Sequence, residues 1–414
     1  MRDAMRDAIQ HTEHEEARVG TRAWIGIDAA KRHHWALALD QDGRVLASRR
    51  VANDQAAITQ LLGEMAALAD ELTWAVDLSN SFASLLLALL WTHDQQVLYV
   101  PGRAVNRAAD GYRGEGKTDA KDALIIADQA RLRRDFTPLR PAPQLLAELR
   151  LLTSHRQDLA ADRVRMLTRL RDHLSAIFPA LERALRVTST GPLVLLARWQ
   201  TPDGLRQAGL EAVTAYLRAH KVPKAAALAR TALAAAEQQT VQLPAEQLTA
   251  QVIAELAGAL LALRGRLKDL DATLTKRLAA HPQAGVLTSL PGIGALLAAE
   301  FLVAVGDLAT FAGPDQLAAY AGLAPVPRDS GQRTGNWHRP LRYNRTLQRV
   351  FYVSAWVSAT RPGLSRDYYQ RKRREGRRHV QAVLALASRR VNVLWALLRD
   401  NRTFTPDPPA TTTA

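Results

Sequence analysis

Apolar positions change period twice along the chain. From about Thr21 to Asp135 they come in short runs: AWIGIDAA, HHWALALD, GRVLASRRVA, then TWAVDL (73–78) and QVLYV (96–100). Such runs, rich in β-branched and aromatic residues and bounded by turn residues at Asp40–Gly43 and Pro101–Gly102, predict strands. Stretches at about 55–68 and at SFASLLLALLW predict helices between them. The order is three strands, helix, strand, helix, strand, helix. It predicts a mixed α/β sheet that starts as an antiparallel meander.

From about 136 to 284 the pattern is helical. Leu145, Leu149, Leu152, Leu159, Met166, Leu170 and Ile177 lie on one heptad seam, broken at Arg156, Arg163 and His173. Ile253, Leu256, Leu260, Leu263, Leu267, Leu270 and Leu274 repeat in steps of three and four. Both make the narrow stripe of a coiled coil, paired with each other or with another subunit. Alanine-rich shorter helices lie between them. The last region, about 285 to 402, opens with LTSLPGIGALLAAEFLVAVG and continues in helices. Its Pro291-Gly292-Ile293-Gly294 resembles a helix–hairpin–helix turn, in which Gly292 and Gly294 let a phosphate reach backbone N–H groups; a tight turn without a ligand is the equal alternative. The chain therefore reads as α/β plus all-α. A polar tail (1–21) precedes a sheet domain (22–135), a helical coiled-coil region (136–284), a helical C-terminal domain (285–402) and a Pro/Thr-rich tail (403–414).

The 414 residues, 47% of them hydrophobic, suffice for two or three cores. No cysteine is present, which excludes disulfides, thiolate zinc sites and cysteine nucleophiles. No window of about 18 uncharged apolar residues and no signal-peptide pattern are visible, so no membrane partner is expected. Charge changes the picture most. The net charge is +15, and Val326 to Arg402 holds eighteen Lys and Arg against four Asp and Glu, a surplus of fourteen. Arg328, Arg333, Arg339, Arg342, Arg345 and Arg349 form one series. Arg371, Lys372, Arg373, Arg374, Arg377 and Arg378 form a denser one, with Trp337, Tyr343, Tyr352, Tyr368 and Tyr369 interleaved. Guanidinium forks suit phosphates and aromatic faces suit unpaired bases, so the region predicts nucleic-acid binding.

Four carboxylates carry the candidate chemistry. Asp28 and Asp77 end two predicted strands. Asp119 and Asp122 open a predicted helix in KTDAKDA, with Thr118 as its N-cap. Their i, i+3 spacing puts both on one helix face, about 5–6 Å apart at Cβ. Each acid alone reads as a polar rim or as helix N-terminal charge. Together they make a hard-oxygen donor set for Mg²⁺ or Mn²⁺, and two such ions about 3.5–4 Å apart can clamp a phosphate displacement.

With these motifs in this order, the chain resembles the DEDD-type transposases of the bridge-RNA-guided insertion sequences. The carrying residues are Asp28 in GID, Asp77, the TDAKDA acids Asp119 and Asp122, Pro291–Gly294, AGLAP (321–325) and Ser330-Gly331. The resemblance spans about residues 22–402. It implies an RNase H/RuvC-like DEDD domain and a C-terminal transposase domain whose serine, here Ser330, attacks a DNA phosphate to form a covalent phosphoserine link. It also implies a divalent-metal site assembled with the acids, and a structured guide RNA pairing with target and donor DNA. Two-ended recombination implies a homodimer or homotetramer, in the cytoplasm at the nucleoid. Asp77 departs from the pattern, which usually has Glu. Thr334 is a second hydroxyl near Ser330, and His338 a candidate phosphate contact. A Holliday-junction-type metal nuclease, needing the acids but not Ser330, is the alternative enzyme. A non-catalytic nucleic-acid scaffold is the alternative from another class.

Overall fold

The computed structural model describes residues 21–78, 81–112, 116, 118–331 and 334–406. The chain divides between Ala142 and Pro143 into two compact units. Lys117, Arg333 and most of both predicted tails lie outside the described residues.

The first unit is built on a six-stranded sheet in the order β3-β2-β1-β4-β5-β6. β1 (Arg22–Asp28), β2 (His33–Leu39) and β3 (Val45–Ala52) form the antiparallel meander. α1 (Gln55–Ala66) leads to β4 (Glu71–Val76), and α2 (Ser84–Thr92) to β5 (Gln96–Tyr99). Both strands run parallel to β1. α3 (Gly102–Ala109) and α4 (Asp119–Leu132) follow, and then β6 (Thr137–Leu139), antiparallel to β5. Neither α3 nor β6 is visible as apolar periodicity. β6 is three residues long and contains Pro138, which a strand at a sheet edge tolerates because one side needs no ladder donor.

Alternation along β1 explains the two layers. Ile25 and Ile27 pack with Trp74, Val76 and the apolar faces of α1 and α2. The intervening Gly26 faces α4. A Cβ there would stand 2.1 Å from the Ala123 carbonyl oxygen and 2.4 Å from the Ala127 nitrogen. α4 therefore lies directly on β1 and has no space for any larger residue.

The second unit is helical. α5 (Gln144–Ile177) is its first long helix. α6 (Pro179–Ala184), α7 (Thr190–Arg198), α8 (Pro202–Ala219) and α9 (Ala225–Glu237) precede the second, α10 (Glu246–Leu278). The heptad stripes pair within the chain, since Arg156 binds Asp271 at 2.5 Å and Arg277 faces Glu148 at 3.4 Å. Rising numbers on one helix match falling numbers on the other, so the pair is antiparallel. α10 is also the one described helix long and apolar enough to cross a membrane, a window the sequence pattern does not single out. Its Ile253, Ala257 and Leu260 are buried with Leu170, Leu174 and α6–α9 in one core. The opposite end of the pair contributes Leu149, Leu274 and Leu278 to a second core.

That second core belongs to α11 (Ala284–Ser289), α12 (Ala295–Val305), α13 (Pro314–Tyr320), α14 (Arg345–Ala359), α15 (Leu364–Arg374) and α16 (His379–Arg399). A two-residue hairpin, β7 (Val326–Pro327) with β8 (Trp337–His338), interrupts the helices between α13 and α14.

Candidate functional site

The acids come together through the sheet. Ile27 of β1 is in register with Val76 of β4, so Asp28 and Asp77, the next residues, leave neighbouring parallel strands at the same end. Both are half-buried. The direction of α4 follows from its far end: Arg131 donates to the Gln41 carbonyl at 3.0 Å. Gln41 lies in the β2–β3 turn, beside the start of β1. α4 therefore runs antiparallel to β1, and its first turn stands at the end where Asp28 and Asp77 emerge. Asp119 is exposed and Asp122 half-buried in that turn. Thr118 caps it, its hydroxyl accepting from the Lys121 N–H at 3.2 Å. The helix N-terminus supports the two acids electrostatically, and the cap fixes their direction.

A buried brace stands behind this end of the sheet. His34 is 1% exposed. Its Nδ1 accepts from the Ala30 N–H at 3.2 Å, just after Asp28. Asn53 donates through Nδ2 to the Lys31 carbonyl at 3.3 Å and the Phe82 carbonyl at 3.1 Å. It thus ties the loop after β1 to the segment after β4. His34 Nε2 and Asn53 Oδ1 are buried without a geometric partner, a donor and an acceptor that suit one another. Burial pushes the His34 imidazole below its ordinary pKa. Neither residue stands out in the sequence, because a lone His on a strand carries no pattern.

The donors are four carboxylates on three elements, chemically suited to a hard divalent cation. Among the described residues no three Asp, Glu or His side chains are gathered round one point. Backbone placement brings the acids to one end of the sheet.

Ser330 stands elsewhere in the chain, in the second unit, exposed on the loop between β7 and β8. Asn336 closes the neck of that loop. Its backbone carbonyl accepts from the Arg328 N–H at 2.8 Å and its Nδ2 donates to the Arg328 carbonyl at 3.3 Å. Its own N–H donates to the Asp329 carboxylate at 3.0 Å. His338 also serves the neck, pairing through Nε2 with Asn336 Oδ1 at 2.9 Å. Trp337, 61% exposed, offers an indole face beside the loop.

The basic residues divide by role. Arg328, Arg339, Arg342 and Arg345 are exposed around the hairpin and the start of α14. Arg339 reaches the Tyr343 hydroxyl at 3.3 Å. Arg349 is different: it pairs with Glu300, 1% exposed on α12, and so anchors α14. On α15 the Tyr368 ring collects Arg371 at 5.0 Å, Lys372 at 5.7 Å and, from α16, Arg389 at 5.3 Å. Lys372 holds Glu375 at 2.7 Å and pulls its carboxyl below the usual range. Arg373 donates to the Arg377 carbonyl at 2.7 Å. Arg374, Arg377 and Arg378 are exposed nearby.

The PGIG turn separates its glycines. Gly292 has φ +84°, and a Cβ would meet the Ser354 carbonyl at 2.5 Å, so it makes room for α14 rather than for a ligand. Gly294 is exposed at the start of α12, with open space around it. Below the turn Arg390, 4% exposed, holds Ser354 Oγ at 2.7 Å and also the Pro291 carbonyl. Burial lowers its pKa to about 10, so it stays cationic at neutral pH.

Comparison with known proteins places the chain in a family. Residues 25–179 match a family model of DEDD type described as Transposase, and residues 284–370 match one described as Transposase IS116/IS110/IS902 family. The chain is 54% identical to the insertion element IS116 44.8 kDa protein of Streptomyces clavuligerus, over 95% of this chain and 98% of that one. It is 51% identical to the insertion element IS900 42 kDa protein of Mycobacterium paratuberculosis, over 94% and 98%. It is 36% identical to the insertion element IS110 43.6 kDa protein of Streptomyces coelicolor, over 94% and 96%.

Proposed function

Because the chain belongs to the IS116/IS110/IS902 family of insertion-sequence transposases, enzymes that cut and rejoin DNA, we propose that it does so through a phosphoserine intermediate at Ser330, served by the four acids and guided by RNA. The observation that carries this reading is the arrival of Asp28, Asp77, Asp119 and Asp122 at one end of one sheet. A divalent cation held there supplies charge neutralisation at the scissile phosphate and eases deprotonation of a hydroxyl.

The rest falls to the chain's own residues. The Ser330 hydroxyl loses its proton and its Oγ bonds to phosphorus. The bond from phosphorus to the leaving strand oxygen breaks, and that oxygen takes up a proton. In the return step a strand hydroxyl attacks the phosphoserine, the bond between Oγ and phosphorus breaks, and Ser330 regains its proton. No net hydrolysis occurs, so the bond energy is kept for rejoining. Arg328 and Arg339 stand in the same hairpin to stabilise the charged phosphorus centre. The basic surface of α15 and α16 holds structured RNA and DNA by their phosphates, Trp337 stacks an unpaired base, and Gly294 admits a phosphate at the start of α12. Two ends cut in one event require at least two such chains.

The test is covalent capture. The protein is incubated with Mg²⁺, RNA from its element and end-labelled recombination-site DNA, then denatured. Label is expected on the protein, and none with Ser330→Ala. Cleaved DNA with no adduct would replace this reading by a hydrolytic nuclease.

A further inference from the structure

A basic pocket opens in the second unit where α7, α9 and α10 meet. The elements that make it carry neither Ser330 nor the arginine cluster of α15. Two local features build it. Gly191, in the first turn of α7, has no room for a Cβ, which would stand 2.8 Å from the Val222 side chain and 3.0 Å from that of Leu228. The start of α7 therefore abuts the loop between α8 and α9 and the first turn of α9. In that loop Lys221 and Lys224 both have left-handed backbone, with φ +53° and +58°. Lysine seldom adopts this conformation, and the strained loop is the one that brings Lys224 to the pocket.

The pocket is open, and its volume of about 530 Å³ is in the range that takes a nucleotide-sized group. Leu185, Pro192 and Val222 are buried and give it an apolar floor. Arg186, Lys224 and Arg264, from three separate segments, line it as well and are exposed. No Asp or Glu lines it. Among the described residues none of these three cations is ion-paired, whereas Arg171, Arg206 and Arg277 of the same unit each meet a carboxylate.

Three cations round an apolar floor, with no carboxylate to neutralise them, suit a ligand that is anionic at its edge and apolar on its face. A nucleic-acid strand is both. Guanidinium forks and an ammonium take its phosphates, and the floor takes the face of a sugar or base. We propose that this pocket is a nucleic-acid site that holds one nucleotide unit of a strand by its flanking phosphates. It is additional to the basic surface of α15 and α16 and needs neither Ser330 nor the acids. DNA and RNA offer the same groups, and the test separates them.

Arg186→Gln, Lys224→Gln and Arg264→Gln are combined in the full chain. The control combines Arg169→Gln, Arg218→Gln and Lys276→Gln, three exposed cations of the same unit that do not line the pocket. Both variants lose the same charge, and with all six positions exposed both should melt with the natural chain. Single-stranded DNA and RNA of one sequence, that of the element's end, are titrated across a range of salt in chelator, so that no cleavage intervenes. The pocket variant should bind at least one of them about tenfold more weakly. Its plot of log affinity against log salt should be shallower by about two, since each of three phosphates contributes about 0.7. The control should keep its slope. A loss confined to DNA, confined to RNA or shared by both supports the site and identifies the strand it holds. Equal losses in the two variants, or none in either, overturn the proposal. Because the chain has no cysteine, Ala227→Cys adds a single thiol to the pocket lining. The strand that binds should slow its reaction with a maleimide. No protection overturns the proposal, and so does protection by inorganic phosphate as strong as that by the strand, which would make this a small-anion site.

Discussion

The acid end of the sheet and the serine hairpin are built in opposite ways. The acids stand on two central strands and a capped helix pressed onto β1 with no space to spare. Ser330 stands on an exposed loop carried by two strands of two residues each. The difference fits what the proposed reaction asks of each. Four like charges repel, and only a stiff frame holds their backbones at one place. In the proposed reaction a serine that attacks, stays bonded and is released needs access and room to turn. Rigid support with function on an attached loop is how folds commonly meet both needs.

The largest effects should fall on the stiff side. Asp119→Asn removes one carboxylate of the proposed metal site and leaves the helix otherwise intact. Metal-dependent cleavage should fall by about a thousandfold, on the order of removing one preorganised electrostatic group. The melting temperature should move by less than a few degrees. Unchanged cleavage in chelator would remove the acids from the chemistry altogether.

Two glycines sharpen the comparison in stability. Gly26→Ala drives a methyl into the backbone of α4 at Ala123 and Ala127. Since neither a strand nor a helix axis can yield locally, the expected loss is about 3 kcal/mol or more, above the ordinary overpacking cost. Gly331→Ala, beside Ser330, meets nothing within 4 Å and has φ +54°. It should cost only the left-handed penalty of roughly 1–2 kcal/mol. Urea unfolding of the two variants measures both. Equal losses would mean that the hairpin is as tightly held as the sheet.

How much of this was readable in advance depends on the range over which each feature is encoded. The strands, the meander and the α4 cap are local, and their apolar runs and the TDAKDA spacing show them. The paired α5 and α10 stripes are also local, although the choice of partner was not, because Arg156–Asp271 and Glu148–Arg277 join residues more than a hundred positions apart. Gly26 looks like any strand glycine until α4 is laid on it. Arg349 looks like one more basic residue in a basic stretch until buried Glu300 claims it. β7 and β8 are too short to have a period, so Asn336, which closes their loop, gives no signal beyond being an Asn near a glycine.

Asn336→Ala tests the hairpin side. It removes the bonds to the Arg328 carbonyl and to His338. The loop is exposed, so stability should change by no more than about 0.5 kcal/mol. The covalent adduct should form about tenfold more slowly, because Ser330 is then presented over a wider range of directions. A change in unfolding with no change in adduct rate would reverse the roles assigned to the two regions.

The smallest expected effect returns to the sheet, at His34. Its folded pKa lies below the unfolded value of about 6.5, with burial the largest cause. Between those two values the unfolded chain binds more protons than the folded one, so stability falls as pH drops from about 6.5 toward the folded pKa. Above about pH 7.5 both states are neutral and the contribution is flat. Protonation also puts a hydrogen on Nδ1, where the Ala30 N–H now donates, and so breaks the bond that holds the loop after Asp28. Urea midpoints at pH 7.5, 6.5 and 5.5 should decline for the natural chain. The decline should be shallower for His34→Gln, whose amide oxygen can accept from Ala30 and does not titrate. Parallel declines in the two proteins would place the acid sensitivity elsewhere and leave the brace a packing feature.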